Sequence, residues 1–326
     1  MENPDKEDMI GLLNAFYKQI NPAIKSAKDY KVESVNRVLV CGLGGSAISG
    51  DILRNYVIDE IEVTVCRDYT IPKFVNKNTL AFVVSYSGNT EETISAYKEC
   101  MKKQAKIVAI TSGGKLAEMA SLHKDIIVKV PAGIQPRLAT GYLFFPMVKI
   151  MMNSGLISDK LGEIVAAESM LKKVQPLKET AQEIAKKLKG KIPIIYASNK
   201  YSSIAEKWKT DINENSKCHA FYNLFSEFNH NEINGYVNLN GDFYVIIIRA
   251  DDDHPRIQKR MQIIKKLIKE KGVEVQEIKI TGKKILPKIF STLFLGVTIS
   301  YYLALELETD PTPVKIIEDL KLELKK

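Results

Sequence analysis

The chain is poor in the residues that anchor metals and disulfides. Among 326 residues there are four cysteines, four histidines and one tryptophan. Cys41, Cys66, Cys100 and Cys218 are scattered without C-x-x-C spacing, and His123, His219, His230 and His254 form no H-x-H or H-x-x-x-H pair. This argues against a thiolate zinc site, a disulfide framework or any resident metal, and points to a reducing, cytoplasmic setting. The opening MENPDKEDMI is acidic and polar, unlike a secretory signal. No apolar run is read as approaching the roughly 20 residues that span a bilayer, so no membrane partner is expected. Arginine is also scarce, seven of 47 basic residues. The formal charge of +8 rests on lysines interleaved with Glu and Asp, with no basic block carrying aromatics. It therefore reads as a solvated surface rather than a nucleic-acid face. Such a field would still help to attract a small anionic substrate.

What the chain does have is rhythm. A length of 326 residues favours two domains over one core. After an amphipathic helix expected over 8–30, short apolar runs alternate with helical patterns. Strands are expected at 37–41, 62–66, 79–84, 106–110 and 125–130, and helices at about 46–57, from Thr90, over KLAEMASL and over 138–154. A polar helical connector spans 159–189. The alternation then restarts with strands at 192–197, 219–223, 242–248 and 273–278 and helices over 201–215, 255–271 and 285–306, plus a short one after Pro313. Alternating runs of this kind mean βαβ units and parallel sheets covered by helices on both faces. The expected fold is α/β, with two doubly wound domains, residues 1–156 and 157–326.

Two loops of the first half sit where open α/β sheets collect ligands, outside the carboxyl ends of strands. One is CGLGGSAISGD, residues 41–51, whose Gly42, Gly44 and Ala47 fit the dinucleotide fingerprint G-x-G-x-x-A. That fingerprint wants an acidic residue ending the next strand, where Arg67 stands first and Asp68 second. The other loop is SYSGNTEET, residues 85–93, with three hydroxyls (Ser85, Ser87 and Thr90) and a glycine for a tight turn. Thr90 also suits a helix N-cap. Hydroxyls and backbone N–H groups at a helix start form a phosphate cradle, because donors and dipole both favour an anion. One compact phosphate held between the two loops accounts for both; a dinucleotide accounts for only the first.

GLGGSAISGD, VVSYSGNTEET, PRLATGY and EFNHNEINGY, in this order, resemble the bifunctional phosphoglucose/phosphomannose isomerases of the sugar-isomerase (SIS) domain superfamily. The resemblance runs over essentially the whole chain. It implies two SIS-type domains, a homodimer with shared active sites, and hexose 6-phosphate substrates. It also implies an aldose–ketose isomerisation through a cis-enediol(ate) that uses neither cofactor nor metal. It assigns the substrate phosphate to Gly45, Ser46, Ser85, Ser87 and Thr90. Glu214 in INENSK matches the carboxylate that moves the C1/C2 proton, and Arg137 in QPRLATGY matches the arginine that steadies the enediolate. His230 in FNHNE matches a ring-opening histidine contributed by the partner subunit. A C-terminal lysine acting in ring opening corresponds to Lys321, with Lys315 as the other candidate.

Read one at a time, these residues have plainer explanations. Glu214 could be a surface glutamate, His230 a strand cap, Arg137 a helix-start ion pair, and DDDHPR at 251–256 the acidic start of a helix. Met147, Met151 and Met152 read as core. A non-catalytic sugar-phosphate sensor would keep the serine loop but has no use for Glu214, Arg137 and His230 together. An NAD-dependent enzyme and another SIS isomerase, such as an aminosugar-phosphate enzyme, complete the alternatives.

Overall fold

The protein is described here from a computed structural model covering residues 4–324. Its elements alternate as the apolar runs require. In chain order they begin α1 (Met9–Asn14), α2 (Ile20–Ser26), β1 (Arg37–Cys41), α3 (Gly45–Tyr56), β2 (Val63–Cys66) and β3 (Thr79–Val84). The first half continues with α4 (Glu91–Lys102), β4 (Lys106–Thr111), α5 (Gly114–Leu122), β5 (Ile126–Lys129), α6 (Thr140–Asn153) and α7 (Leu161–Leu171). The second half holds α8 (Gln175–Leu188), β6 (Ile192–Ser198), α9 (Ser202–Asn215), β7 (Phe221–Phe225) and β8 (Phe243–Ala250). It ends with α10 (Pro255–Glu270), β9 (Glu274–Ile280), α11 (Ile285–Glu306) and α12 (Lys315–Glu323).

The chain divides into two compact units. The first comprises Asn14–Lys172 with Lys284–Ile289, and the second is built mainly on Lys173–Lys283 and the chain from Phe290 onward. The first unit has a five-stranded parallel sheet in the order β2-β1-β3-β4-β5. Every residue of β3 is buried, as expected of a strand covered on both faces. On one face Leu39, Ala81, Val83 and Ala109 pack under α4 and α5 through Ile94, Tyr97, Cys100, Leu116 and Ala120. Cys41, Cys66 and Cys100 lie in that cluster as small apolar residues. The second unit has a four-stranded parallel sheet ordered β7-β6-β8-β9. Both orders have the doubly wound pattern, with a switch point between β1 and β3 and another between β6 and β8.

Proline explains where the helical expectations gave way. The span 8–30 is not one helix: α1 ends at Asn14, a 3-10 turn covers Phe16–Gln19, and α2 starts at Ile20. A continuous helix would need the N–H that Pro22 lacks, and its ring would meet the carbonyl of Lys18. Restarting at Ile20 puts Pro22 in a first turn, where no N–H is required. The connector breaks similarly, with Pro176 in the first turn of α8. Strand β7 starts two residues later than the apolar pattern suggests, at Phe221. As an edge strand paired only to β6, it has a weak burial alternation.

The expectation that no run reaches bilayer-spanning length is also corrected. Helix α11, Ile285–Glu306, meets that length with mean hydropathy 1.5, and 78% of its apolar window is buried inside the protein. A helix that is apolar all round serves as a core helix when other elements cover it. In the second unit it receives Trp208, wholly buried, whose indole N–H donates to the Thr292 carbonyl at 2.8 Å. Gly296 makes room for that ring: a Cβ there would fall 2.2 Å from Trp208. Gly296→Ala is expected to destabilise the protein by about 1–3 kcal/mol through overpacking, measured as a lowered urea midpoint with an unchanged slope.

Candidate active site

Parallel pairing sets Cys41 opposite Val83, so β1 and β3 end at the same level and their loops emerge side by side. Gly42 keeps them close: its N–H donates to the Cys66 carbonyl at 3.1 Å, and a Cβ would lie 2.8 Å from the Val84 carbonyl. Gly44 turns the chain at φ +53° into α3. Gly45 and the buried Ser46 form the helix's first two positions, and the Ser46 N–H donates back to the Leu43 carbonyl at 3.1 Å.

The serine loop is built around Ser85, which is 1% exposed. Its hydroxyl accepts from the Gly88 N–H at 3.1 Å and shares a hydrogen bond with the Thr90 hydroxyl at 3.0 Å. Thr90 occupies the N-cap position of α4 with extended backbone, yet its side chain makes no capping bond. Ser87 is exposed and accepts from the Asn89 N–H at 3.3 Å. Gly88 adopts φ +72°, and a Cβ would lie 1.8 Å from the Gly113 carbonyl, so only glycine fits. The neighbouring β4–α5 turn holds the loop from behind: Leu116 donates to the Gly88 carbonyl at 2.9 Å, and Lys115 to Asn89 Oδ1 at 3.0 Å.

Arg137, 4% exposed, lies in a 3-10 turn, Pro136–Leu138, just before α6. This turn packs directly on the glycine loop: a Cβ on Gly45 would lie 2.8 Å from the Pro136 carbonyl and 3.1 Å from Arg137 Cα. Two residues that the sequence reading passed over secure the arrangement. Tyr86, between the serines, donates its hydroxyl to the Pro131 carbonyl at 2.8 Å and accepts from the Ile134 N–H at 3.1 Å. Gln19, 6% exposed, donates to the Leu138 carbonyl at 2.7 Å and accepts from the Gly141 N–H at 3.0 Å. An aromatic inside a polar loop, and a glutamine on the apolar side of a predicted helix, were the available signals. Thus Gly45, Ser46, Ser85, Ser87, Thr90 and Arg137 all belong to the first unit, on three segments joined to one another.

The remaining candidates lie in the second unit. Glu214 is half-buried near the end of α9. That end is fixed by the Lys217 ammonium, which donates to the carbonyls of Glu214 at 2.7 Å, Asn215 at 3.2 Å and Pro311 at 3.0 Å. His230 is exposed and closes a 3-10 turn, Glu227–His230, just beyond β7. Glu214 precedes the start of β7 and His230 follows its end, so the two flank opposite ends of that strand. The strand between them spans roughly 16 Å. They are not brought together within one unit. Lys315 opens α12 and Lys321 lies in its last turn, both exposed and pointing roughly 120° apart.

The second unit's own switch point is different in character. Asp253 accepts from the Ser198 hydroxyl at 2.5 Å and the Ala250 N–H at 2.8 Å. Asp252 receives the Lys200 ammonium at 2.6 Å and the Tyr201 hydroxyl at 2.9 Å. The aspartates of DDDHPR therefore tie β8 to the β6–α9 turn, and His254, accepting from the Arg256 N–H at 3.1 Å, caps α10 instead. Burial pushes the Asp253 carboxyl up, partly offset by Ser198 and Ala250. The carboxylates of this crevice are thus taken up by partners of the second unit itself.

Sheet order, strand-end loops and hydroxyl placement define a protein of two SIS domains. The SIS domain family matches residues 31–146, and the family described as the bacterial phospho-glucose isomerase C-terminal SIS domain matches residues 177–324. A bifunctional phosphoglucose/phosphomannose isomerase of Caldicellulosiruptor bescii is 42% identical over 94% of this chain and 96% of its own. A D-glucosamine-6-phosphate 4-epimerase of Sulfolobus acidocaldarius is 34% identical over 68% of this chain and 71% of its own. Among solved structures, the C-terminal domain of a glucosamine-fructose-6-phosphate aminotransferase from Francisella tularensis matches with TM-score 0.74 at 14% identity, covering 96% of this chain and 100% of that one. The chain belongs to the bifunctional phosphoglucose/phosphomannose isomerase family.

One anion site per chain is expected. Titration calorimetry with inorganic phosphate should give a stoichiometry of one, and Gly45→Ala should weaken binding by about 1–3 kcal/mol as its methyl pushes the Arg137 turn away. A second site of equal affinity would contradict the closed character of the acidic crevice.

Proposed function

We propose that the protein is an aldose–ketose isomerase that interconverts glucose 6-phosphate and mannose 6-phosphate with fructose 6-phosphate. The observation that carries the reading is the joining of the glycine loop, the serine loop and the Arg137 turn at one strand-end crevice, in a chain of this family. The phosphate is assigned to Gly45, Ser46, Ser85, Ser87 and Thr90, at the starts of two helices whose dipoles favour an anion.

The chemistry moves a proton between C1 and C2 through a cis-enediolate. Glucose and mannose 6-phosphates differ only at C2, which becomes planar in that intermediate, so one site serves both sugars. Glu214 is the base at carbon. Arg137 stabilises the developing oxyanion without itself titrating. Ring opening requires a proton at the ring oxygen and removal of one from the anomeric hydroxyl, for which His230 and Lys321 are assigned. Proton transfer alone needs neither a hydride carrier nor a metal ion. The placement of Glu214 and His230 beyond opposite ends of β7 supports a homodimer in which His230 of the partner subunit completes each site. With domains taken as 1–156 and 157–326, the first supplies the phosphate loops and Arg137, and the second the acid–base groups. A cytoplasmic location fits this metabolic role.

A coupled assay with the three hexose 6-phosphates and glucosamine 6-phosphate, with and without EDTA, tests the reading. Turnover of all three hexose phosphates is expected, undiminished by chelation. Turnover of the aminosugar alone would favour the chemistry named for the Sulfolobus relative, and binding without turnover would mark a sensor. Glu214→Gln is expected to bind fructose 6-phosphate normally while losing at least the general-base factor of about 10²–10⁴ in kcat. Mixing it with His230→Ala should partly restore activity if sites are shared.

A further inference from the structure

His230 is an exposed residue on an irregular loop, yet a group that must meet a sugar ring atom has to be held within about 0.5 Å of its working position. The second unit supplies a restraint on each side of it. Two residues before it, Phe228 is fully buried and stacks face to face on the ring of Tyr196, centroids 4.1 Å apart at 13°. The Phe225 ring meets Phe228 edge-on at 4.9 Å. Two residues after it, Glu232 Oε1 accepts from the Tyr196 hydroxyl at 2.6 Å, while Oε2 accepts from the Asn223 side-chain amide. Between the anchors, Asn231 accepts from the Glu232 N–H at 2.6 Å and donates to Glu227 at 2.7 Å, closing the turn.

Both anchors thus rest on one side chain. Tyr196 projects from β6, paired on both sides in the sheet. Its ring face holds Phe228 and its hydroxyl holds Glu232, with His230 midway between them in sequence. Tyr236, 6% exposed, adds a hydroxyl contact to Tyr196 at 2.9 Å. We infer that Tyr196 and Glu232 act as a positioning clamp for His230, setting where its imidazole can reach; this rests on His230 being the ring-opening group.

Burial, then the proximity of Tyr236 and Glu232, pushes the Tyr196 phenol far up, so it stays a donor throughout the working pH range. Among the described residues Glu232 makes no ion pair. Its two carboxylate oxygens take one directional donor each, which fixes the orientation of the side chain. Asn223, on β7, fixes the second oxygen and ties the turn to the sheet edge as well. The clamp therefore acts on geometry and leaves the phosphate loops, in the other unit, untouched.

The test separates ring opening from proton transfer at carbon. Fructose 6-phosphate must open its ring, whereas 5-deoxyfructose 6-phosphate lacks O5, has O6 esterified, and stays open. Tyr196→Phe keeps the stack and removes the hydroxyl, Glu232→Ala removes both carboxylate bonds, and Glu232→Gln keeps an acceptor for Tyr196. For the first two, kcat on fructose 6-phosphate should fall about 10- to 100-fold at unchanged KM, as misplacement of a reacting group predicts. Solvent-deuterium uptake at C1 of the open analogue should stay at the wild-type rate, and Glu232→Gln should retain most turnover. Wild-type kcat on fructose 6-phosphate in a folded Glu232→Ala or Tyr196→Phe protein overturns the clamp. So does an equal loss on both substrates, which is the mark of a merely structural role. If His230→Ala turns over fructose 6-phosphate normally, the clamp falls while the isomerase reading stands. If the wild type acts on neither sugar, both fall.

Discussion

Parallel pairing of β1 with β3, Cys41 opposite Val83, is the constraint on which the candidate site depends. It ends two strands at one level and sends their helices to opposite faces, because right-handed crossovers on either side of a switch point must diverge. The gap left there takes the glycine loop and the serine loop together. A one-residue slip would turn Val83 and Val84 inside out and shift the serine loop away from the glycine loop. Buried residues along all of β3 make that slip costly, so the apolar core under α4 and α5 holds the loops in register.

Each unit then uses a tyrosine to hold an irregular turn. Tyr86 reaches from the serine loop to the Pro131 and Ile134 backbone ahead of Arg137. Tyr196 reaches from β6 to the turn that carries His230. The physical logic is the same in both. A phenol buries a large ring in the core and presents one oxygen at its far end, so it fixes a polar segment without leaving a buried group unsatisfied. The segments themselves are short 3-10 turns, which lack the hydrogen-bond ladder to hold their own shape.

The two switch points have diverged in charge. The first is lined by glycine and hydroxyl-bearing loops; the second is filled by Asp251, Asp252 and Asp253 bonded to Gly282, Tyr201, Lys200, Ser198 and Ala250. Two sheets wound alike thus provide one crevice of glycine and serine loops and one internally satisfied cross-link. The second unit is left to present its polar groups at the ends of α9 and β7 rather than at its own crevice.

By itself, the sequence determined the α/β alternation, the position of both loops at strand ends, the family, and the glycines required at tight turns. These are local properties: period, composition and backbone freedom are written within a few residues of where they act. Only the tertiary structure decided that α11 is a core helix with Trp208 against Gly296, and that the aspartates of DDDHPR brace β6 while its His254 caps α10. It also decided that Arg137 leans on Gly45, that Gln19 and Tyr86 hold its turn, and that Glu214 and His230 flank opposite ends of β7. Each of these depends on residues far apart in the chain meeting side by side. Such meetings follow from strand order and packing, which no single stretch of residues encodes.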